Sequence, residues 1–273
     1  MKNFNHKAFI AAFFGIAILI ASCKKETSIS QTITNTVPSG QNQLSVFLTD
    51  DQSLIFDSIF IDIQMLEVKV EKQNGTEHWD TLNIRPGIYN ILHFRNGVDT
   101  LFATGFIAGG EIKKIRITLG TRNSVVLKGV TFLLALHNNE KQVIINIPNT
   151  DMLDPIHFRL WLDFDGHGSV IEMHHNQFEL NPRINSFSKG HSQELEGKVK
   201  PEDAQPVVVS VINGTDTVKA ITEHNGEFKI RGINATTVNV FIHPSNGYKD
   251  SLVSNIVLQQ GDDTKLRDII LHK

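Results

Sequence analysis

Ile156-His157-Phe158-Arg159-Leu160-Trp161-Leu162-Asp163-Phe164 is the stretch that decides the fold. Side chains alternate across a strand. Ile156, Phe158, Leu160, Leu162 and Phe164 therefore share one face, and His157, Arg159, Trp161 and Asp163 share the other. A strict period of two predicts a half-buried β-strand. Gly166 and Gly168 break it, and Ser169–Met173 and Gln177–Leu180 resume it.

The same period recurs on both sides. Leu44, Val46 and Leu48 alternate with Ser45, Phe47 and Thr49. Ile59, Ile61, Ile63 and Met65 form a second set, and Val68 and Val70 shift its phase after Leu66-Glu67, which predicts a bulge there. Asn74-Gly75 marks a hairpin turn before His78–Leu82. Short apolar segments follow at Ile88–Phe94, Leu101–Ile107, Ile112–Leu119, Val125–Leu127, Phe132–Leu136, Val143–Ile147 and Pro182–Phe187. Many short strands with no long amphipathic helix indicate an all-β chain of sandwich or barrel type. Ser188–Ser192 is small and polar and reads as a boundary. Beyond it, strands are expected at 194–200, 207–212, 217–222, 227–230, 237–242, 256–258 and 268–271, the count of a small Greek-key sandwich.

The N-terminus carries a different signal. Lys2 and Lys7 precede an apolar run from Ala8 to Ala21, and Ile20-Ala21-Ser22-Cys23 precedes Lys24-Lys25-Glu26. A basic start, an apolar stretch and small residues before a cut describe a secretory signal. The run is about 14 residues, short of the ~20 that a spanning helix needs. Cys23, the chain's one cysteine, sits where the lipobox of bacterial lipoproteins has its acylated residue, and the segment resembles that lipobox. The resemblance implies a lipidated N-terminal cysteine and leaves no thiol for a disulfide or a cysteine-based metal site. Lys24–Gln43 is polar and reads as a flexible tether. The expected organisation is a signal peptide at 1–22, lipidated cysteine and tether at 23–42, and two β-sandwich domains in tandem at 43–187 and 193–273.

Two further resemblances rest on specific residues. Leu44–Asp50, Ile59–Val68, Trp79, Gly110–Leu119, Leu162-Asp163-Phe164-Asp165 and Leu180–Ile184 are similar to motifs of domain-of-unknown-function family 4382. That family occurs in envelope lipoproteins, and the proline it carries soon after Thr49-Asp50 is replaced here by Gln52-Ser53. The second unit resembles the carboxypeptidase regulatory-like, transthyretin-like domain. The residues that carry this are Leu195–Val199, Val207-Val209-Val211, Thr217–Thr222, Asn225–Ile233, Gly247-Tyr248 and Asp268–Leu271. The resemblance implies a carbohydrate-binding-like fold. Tyr248 is the one sugar-stacking candidate, and the matching tyrosine of such domains is more often structural.

Few residues suggest chemistry. Asp163, Asp165 and His167 have the alternating spacing of a calcium loop. The competing reading is a strand end whose aspartates bond turn amides. His157, His167, His174 and His175 lack the spacing of a zinc site. Hydrolase and P-loop motifs are missing from the sequence. Asp followed by Ser or Thr and an apolar residue recurs at Ser58, Thr81, Thr100, Thr217 and Ser251, against about one such tripeptide by chance. It resembles the O-glycosylation site of exported Bacteroidota proteins, and it reads equally as a turn leading into a strand. A net charge of −3 over 273 residues argues against a nucleic-acid binder.

The sequence therefore describes a non-catalytic cell-envelope lipoprotein, anchored in the membrane through Cys23. It would bind, or space apart, glycan or protein partners. The alternative is a metal- or carbohydrate-binding receptor component with a site between Asp163 and His175, and a hydrolase stands third. The expected location is the outer membrane, on either its periplasmic or its surface face.

Overall fold

A computed structural model describes residues 37–51, 55–147, 157–174, 177–188, 191–213, 216–259 and 263–273. The signal, Cys23 and most of the tether lie outside the described residues. The rest is nearly all β, as expected.

Two sheets enclose the core of the first unit. One has five strands, in the order Ile184–Phe187, His157–Asp165, Gln41–Asp51, Thr100–Ala108, Asn83–Ile84. Gln41–Asp51 and His157–Asp165 run parallel, with Val46 opposite Leu160 and Leu48 opposite Leu162. That register places both apolar sets on the same inner face, where Leu44, Val46, Leu48, Leu160, Leu162 and Phe164 are all buried. The facing sheet is built on the long strand Ser58–Glu71. Its inward residues are Ile59, Ile61 and Ile63, then Leu66, Val68 and Val70. The phase flips because the pairing with Glu111–Leu119 slips between Ile63 and Met65, earlier than the expected bulge after Leu66-Glu67. One extra residue on a strand turns every later side chain to the opposite face.

The second unit also has two sheets. Glu227–Ile233, Gln193–Lys200 and Asp263–Lys265 form one, with Ile269–Ile270 added to Gln193–Lys200. Asp216–Ile221, Val207–Asn213, Thr237–Pro244 and Ser251–Val257 form the other. One apolar cluster runs from Leu44 to Leu180 and another from Leu195 to Leu271, so each unit has its own core.

Three other expectations change. The first strand begins at Gln41, before its apolar residues, because Gln41 and Asn42 still pair with Ala108 and Ile107. Ile88–Phe94 divides into the strand Gly87–Asn90 and a 3-10 turn, Ile91–Phe94, which buries Ile91 and Leu92. The last strand of the second sheet is Ser251–Val257, whose exposed Leu252 and Val257 hid its period of two.

Phe164 is fully buried between the sheets of the first unit. Phe164→Ala should cost about 3–5 kcal/mol, the usual range for deleting a buried ring. Urea unfolding followed by circular dichroism reads this as a lower midpoint at unchanged slope.

Candidate functional site

The alternation of His157–Asp165 stops being amphipathic half-way along the strand. On its outer face His157 and Arg159 are exposed, but Trp161 and Asp163 are each only 8% exposed. A strand is covered on both faces only where something lies over the sheet. Here the second unit lies over it.

Register builds the contact from the sheet outward. Phe47 pairs with Trp161, and Trp161 pairs with Phe187, so three rings form one row across three strands. Centroids are 5.1 Å apart for Phe47–Trp161 and 5.8 Å for Trp161–Phe187, with planes within 17° and 5° of parallel. The Phe187 ring packs on Gly232 of the second unit. A Cβ at Gly232 would lie 2.7 Å from Phe187 Cδ1, and its φ of +74° also favours glycine.

Polar groups fix the orientation of this apolar contact. Trp161 Nε1 donates to Asp99 Oδ2 at 2.7 Å, and Arg231 Nη1 donates to the same oxygen at 2.7 Å. Glu194 accepts from Arg231 Nε at 3.3 Å and lies 2.9 Å from Lys229 Nζ, which also donates to Asp263 at 2.6 Å. The 95–98 turn is held down by buried Thr49, whose hydroxyl donates to the carbonyl of Phe94 at 3.0 Å. At its tip Asn96 and Gly97 both have positive φ, as a type I′ turn requires. Asn96 Oδ1 then accepts from the Lys229 backbone N–H at 2.8 Å, and its Nδ2 donates to Glu223 Oε1 at 3.0 Å. Charge-assisted bonds of this kind are stronger than neutral ones, and the Arg231–Asp99 bond and the two Asn96 bonds cross between the units.

Asp163 lies beneath this contact and lines a cavity with Thr49, Asn96, Phe187, Lys229 and Arg231. At about 20 Å³ the cavity admits water and excludes a sugar ring. No hydrogen-bond donor among the described residues reaches the Asp163 carboxylate. Burial pushes its pKa up to about 7, and the nearby Asp165 charge adds to the rise. Buried Asp62 has the opposite fate. Arg122 Nε and Nη2 bond it at 2.9 and 3.1 Å, and this holds its carboxyl below the usual range.

The structure does not gather Asp163, Asp165 and His167 around one point. Asp165 caps a short helical turn, accepting from the Gly168 N–H at 2.7 Å. His167 is exposed, and Asp163 faces the cavity between the units. Among the described residues no group of three His, Cys, Asp or Glu is placed to hold a metal ion. The strand-end reading accounts for Asp165, because its bond to a turn amide is present. His175 lies outside the described residues.

Of the Asp-Ser/Thr tripeptides, Thr81 and Thr217 are exposed, while Ser58, Thr100 and Ser251 are half-buried. Four of their aspartates, Asp57, Asp80, Asp99 and Asp250, are engaged structurally. Asp57 accepts from the Gly129 N–H and Asp80 from the Ala108 N–H; Asp99 bridges the two units, and Asp250 bonds His243. Tyr248 donates to Asp203 at 2.7 Å, and Lys273 lies over its ring, 4.7 Å from the centroid.

A family model described as Domain of unknown function (DUF4382) matches residues 41–182. The chain belongs to this family. Its match ends just before the strand carrying Phe187, so the DUF4382 region contributes Phe47, Asp99, Trp161 and Asp163 to the contact, and the partner residues come from outside it. No curated protein matches the chain. Among solved structures, a type II cohesin–X-dockerin complex from Acetivibrio cellulolyticus overlaps at 22% identity and TM-score 0.25; 29% of this chain covers 56% of that one. The Bacillus anthracis TIE protein overlaps at 12% identity and TM-score 0.24, over 85% of this chain and 34% of that one. The shaft pilin SpaA of Lactobacillus rhamnosus GG overlaps at 8% identity and TM-score 0.21, over 85% and 97%. Overlaps this slight say nothing about activity.

Asp163 makes a pH prediction. Its folded pKa of about 7 lies above the ordinary carboxyl value of about 3.9, so between the two the folded state holds a proton that the unfolded state releases. This contribution is complete below about pH 4 and is lost as pH rises toward 7, at up to about 1.4 kcal/mol per pH unit. Asp163→Asn should flatten the fall in melting temperature between pH 4 and 7. An unchanged slope would show that Asp163 titrates normally.

Proposed function

We propose that this DUF4382 protein is a non-catalytic envelope lipoprotein, anchored through Cys23, whose two β units act as one stiff body that holds a binding surface away from the membrane. The observation that carries this reading is the bridge at Asp99, whose single oxygen accepts from Trp161 on one unit and Arg231 on the other. Units joined only by a flexible linker would leave the Phe47–Trp161–Phe187 row in water. The packing of Phe187 on Gly232, the Asp99–Arg231 ion pair and the Asn96 bonds together resist bending at this junction. The second unit is read as carboxypeptidase regulatory-like, and the outer membrane as the location. Glycan and protein are the partner classes, and Thr81 and Thr217 are the accessible acceptors for O-glycosylation.

Small-angle scattering tests the stiffness. The wild-type protein should fit one compact shape, and Asp99→Ala should raise the radius of gyration and broaden the distance distribution, since it removes the acceptor from both donors at once. Equal curves for the two proteins would refute a role for this bridge. The anchor has its own test: Cys23→Ala should move the protein from the detergent phase to the aqueous phase in phase partitioning, and continued detergent partitioning would count against lipidation.

A further inference from the structure

Docking of the units creates a groove of about 460 Å³ that neither unit forms alone. One wall is the turn after the 3-10 helix, with His93, Arg95 and Val98; the other is Pro206 and the 221–224 segment, with Ile221, Glu223 and His224. Ligand sites favour such junctions, and the volume is in their usual range. The Asn96–Glu223 bond at 3.0 Å ties the two walls together, so the groove has a fixed width.

Its chemistry is uneven. Val98 is 50% exposed beside Pro206 and Ile221, which gives an apolar floor. Among the described residues the Arg95 and His224 side chains have no hydrogen-bond or ion-pair partner. Glu223, the groove's one acid, already has one oxygen engaged by Asn96. An arginine fork is a permanent donor set whose best complement is a carboxylate or another planar anion. An apolar floor beside a free guanidinium fits an apolar side chain next to an acid.

We infer that this groove binds a peptide segment carrying a carboxylate beside an apolar side chain, with Arg95 taking the carboxylate and Val98, Pro206 and Ile221 taking the apolar group. This deepens the binding role proposed above and rests on the docked arrangement. It assigns that role a protein partner rather than a glycan.

Saturation-transfer NMR on the full-length chain in detergent micelles tests the inference, with acetyl-Leu-Glu-amide as probe and acetyl-Leu-Gln-amide as its neutral twin. The acidic probe should bind saturably, and the neutral one at least about tenfold more weakly, the loss expected for one charged hydrogen bond. Arg95→Ala should cause the same loss for the acidic probe, while Arg159→Ala, on an exposed part of the sheet, should cause none. Equal affinity for the two probes, wild-type affinity in Arg95→Ala, or no saturable binding would each overturn it. Scattering curves from the same samples show whether the units stay docked, which separates failure of the site from failure of the stiff-body reading.

Discussion

The arrangement of this chain depends on one carboxylate oxygen. Asp99 Oδ2 receives both the Trp161 indole and the Arg231 guanidinium, each at 2.7 Å. The indole proton needs an acceptor because Trp161 is buried, and the guanidinium needs a counter-charge because it is largely covered. Each demand alone would be ordinary. Met by the same atom, they lock the outer face of one sheet to a strand of another unit. Removing Asp99 would leave the buried indole donor unsatisfied and the half-buried cation with Glu194 alone, which costs more than the bond itself was worth.

Around that atom the parts are consistent. Thr49, near the end of the first strand, holds the 95–98 turn, Asn96 and Gly97 supply the positive φ that the turn needs, and Asn96 reaches Lys229. Gly232 lets Phe187 approach where any side chain would collide. The small cavity left beneath is lined by Asp163, a carboxyl whose pKa is carried to about 7. The larger groove beside it presents Arg95 and His224 to solvent.

Much of the core was legible in the sequence. Leu160, Leu162 and Phe164 are buried as their spacing requires, and so are Leu44, Val46 and Leu48. The contact between the units was not legible, because period-two patterning sorts residues by face and cannot say whether a second body covers the polar one. Phe47 and Trp161 both fell in the outward sets. A large ring recurring on nominally wet faces was the available signal, and it becomes decisive only when register aligns the rings with Phe187. Asp163-x-Asp165-x-His167 misled for a related reason. Spacing places Asp163 and Asp165 on one face, but Asp165 turns to cap a helical turn and His167 leaves the strand. Asp99 gave no local signal at all, because both of its partners are more than sixty residues away.

The most direct measurement is acrylamide quenching of Trp161 fluorescence in a Trp79→Phe background, where Trp161 is the sole tryptophan. If the second unit covers the sheet, the quenching constant should be several-fold below that of the urea-unfolded chain and should rise when Gly232→Val forces the units apart. Quenching of Trp161 in the native protein as free as in the unfolded chain would contradict the docked arrangement.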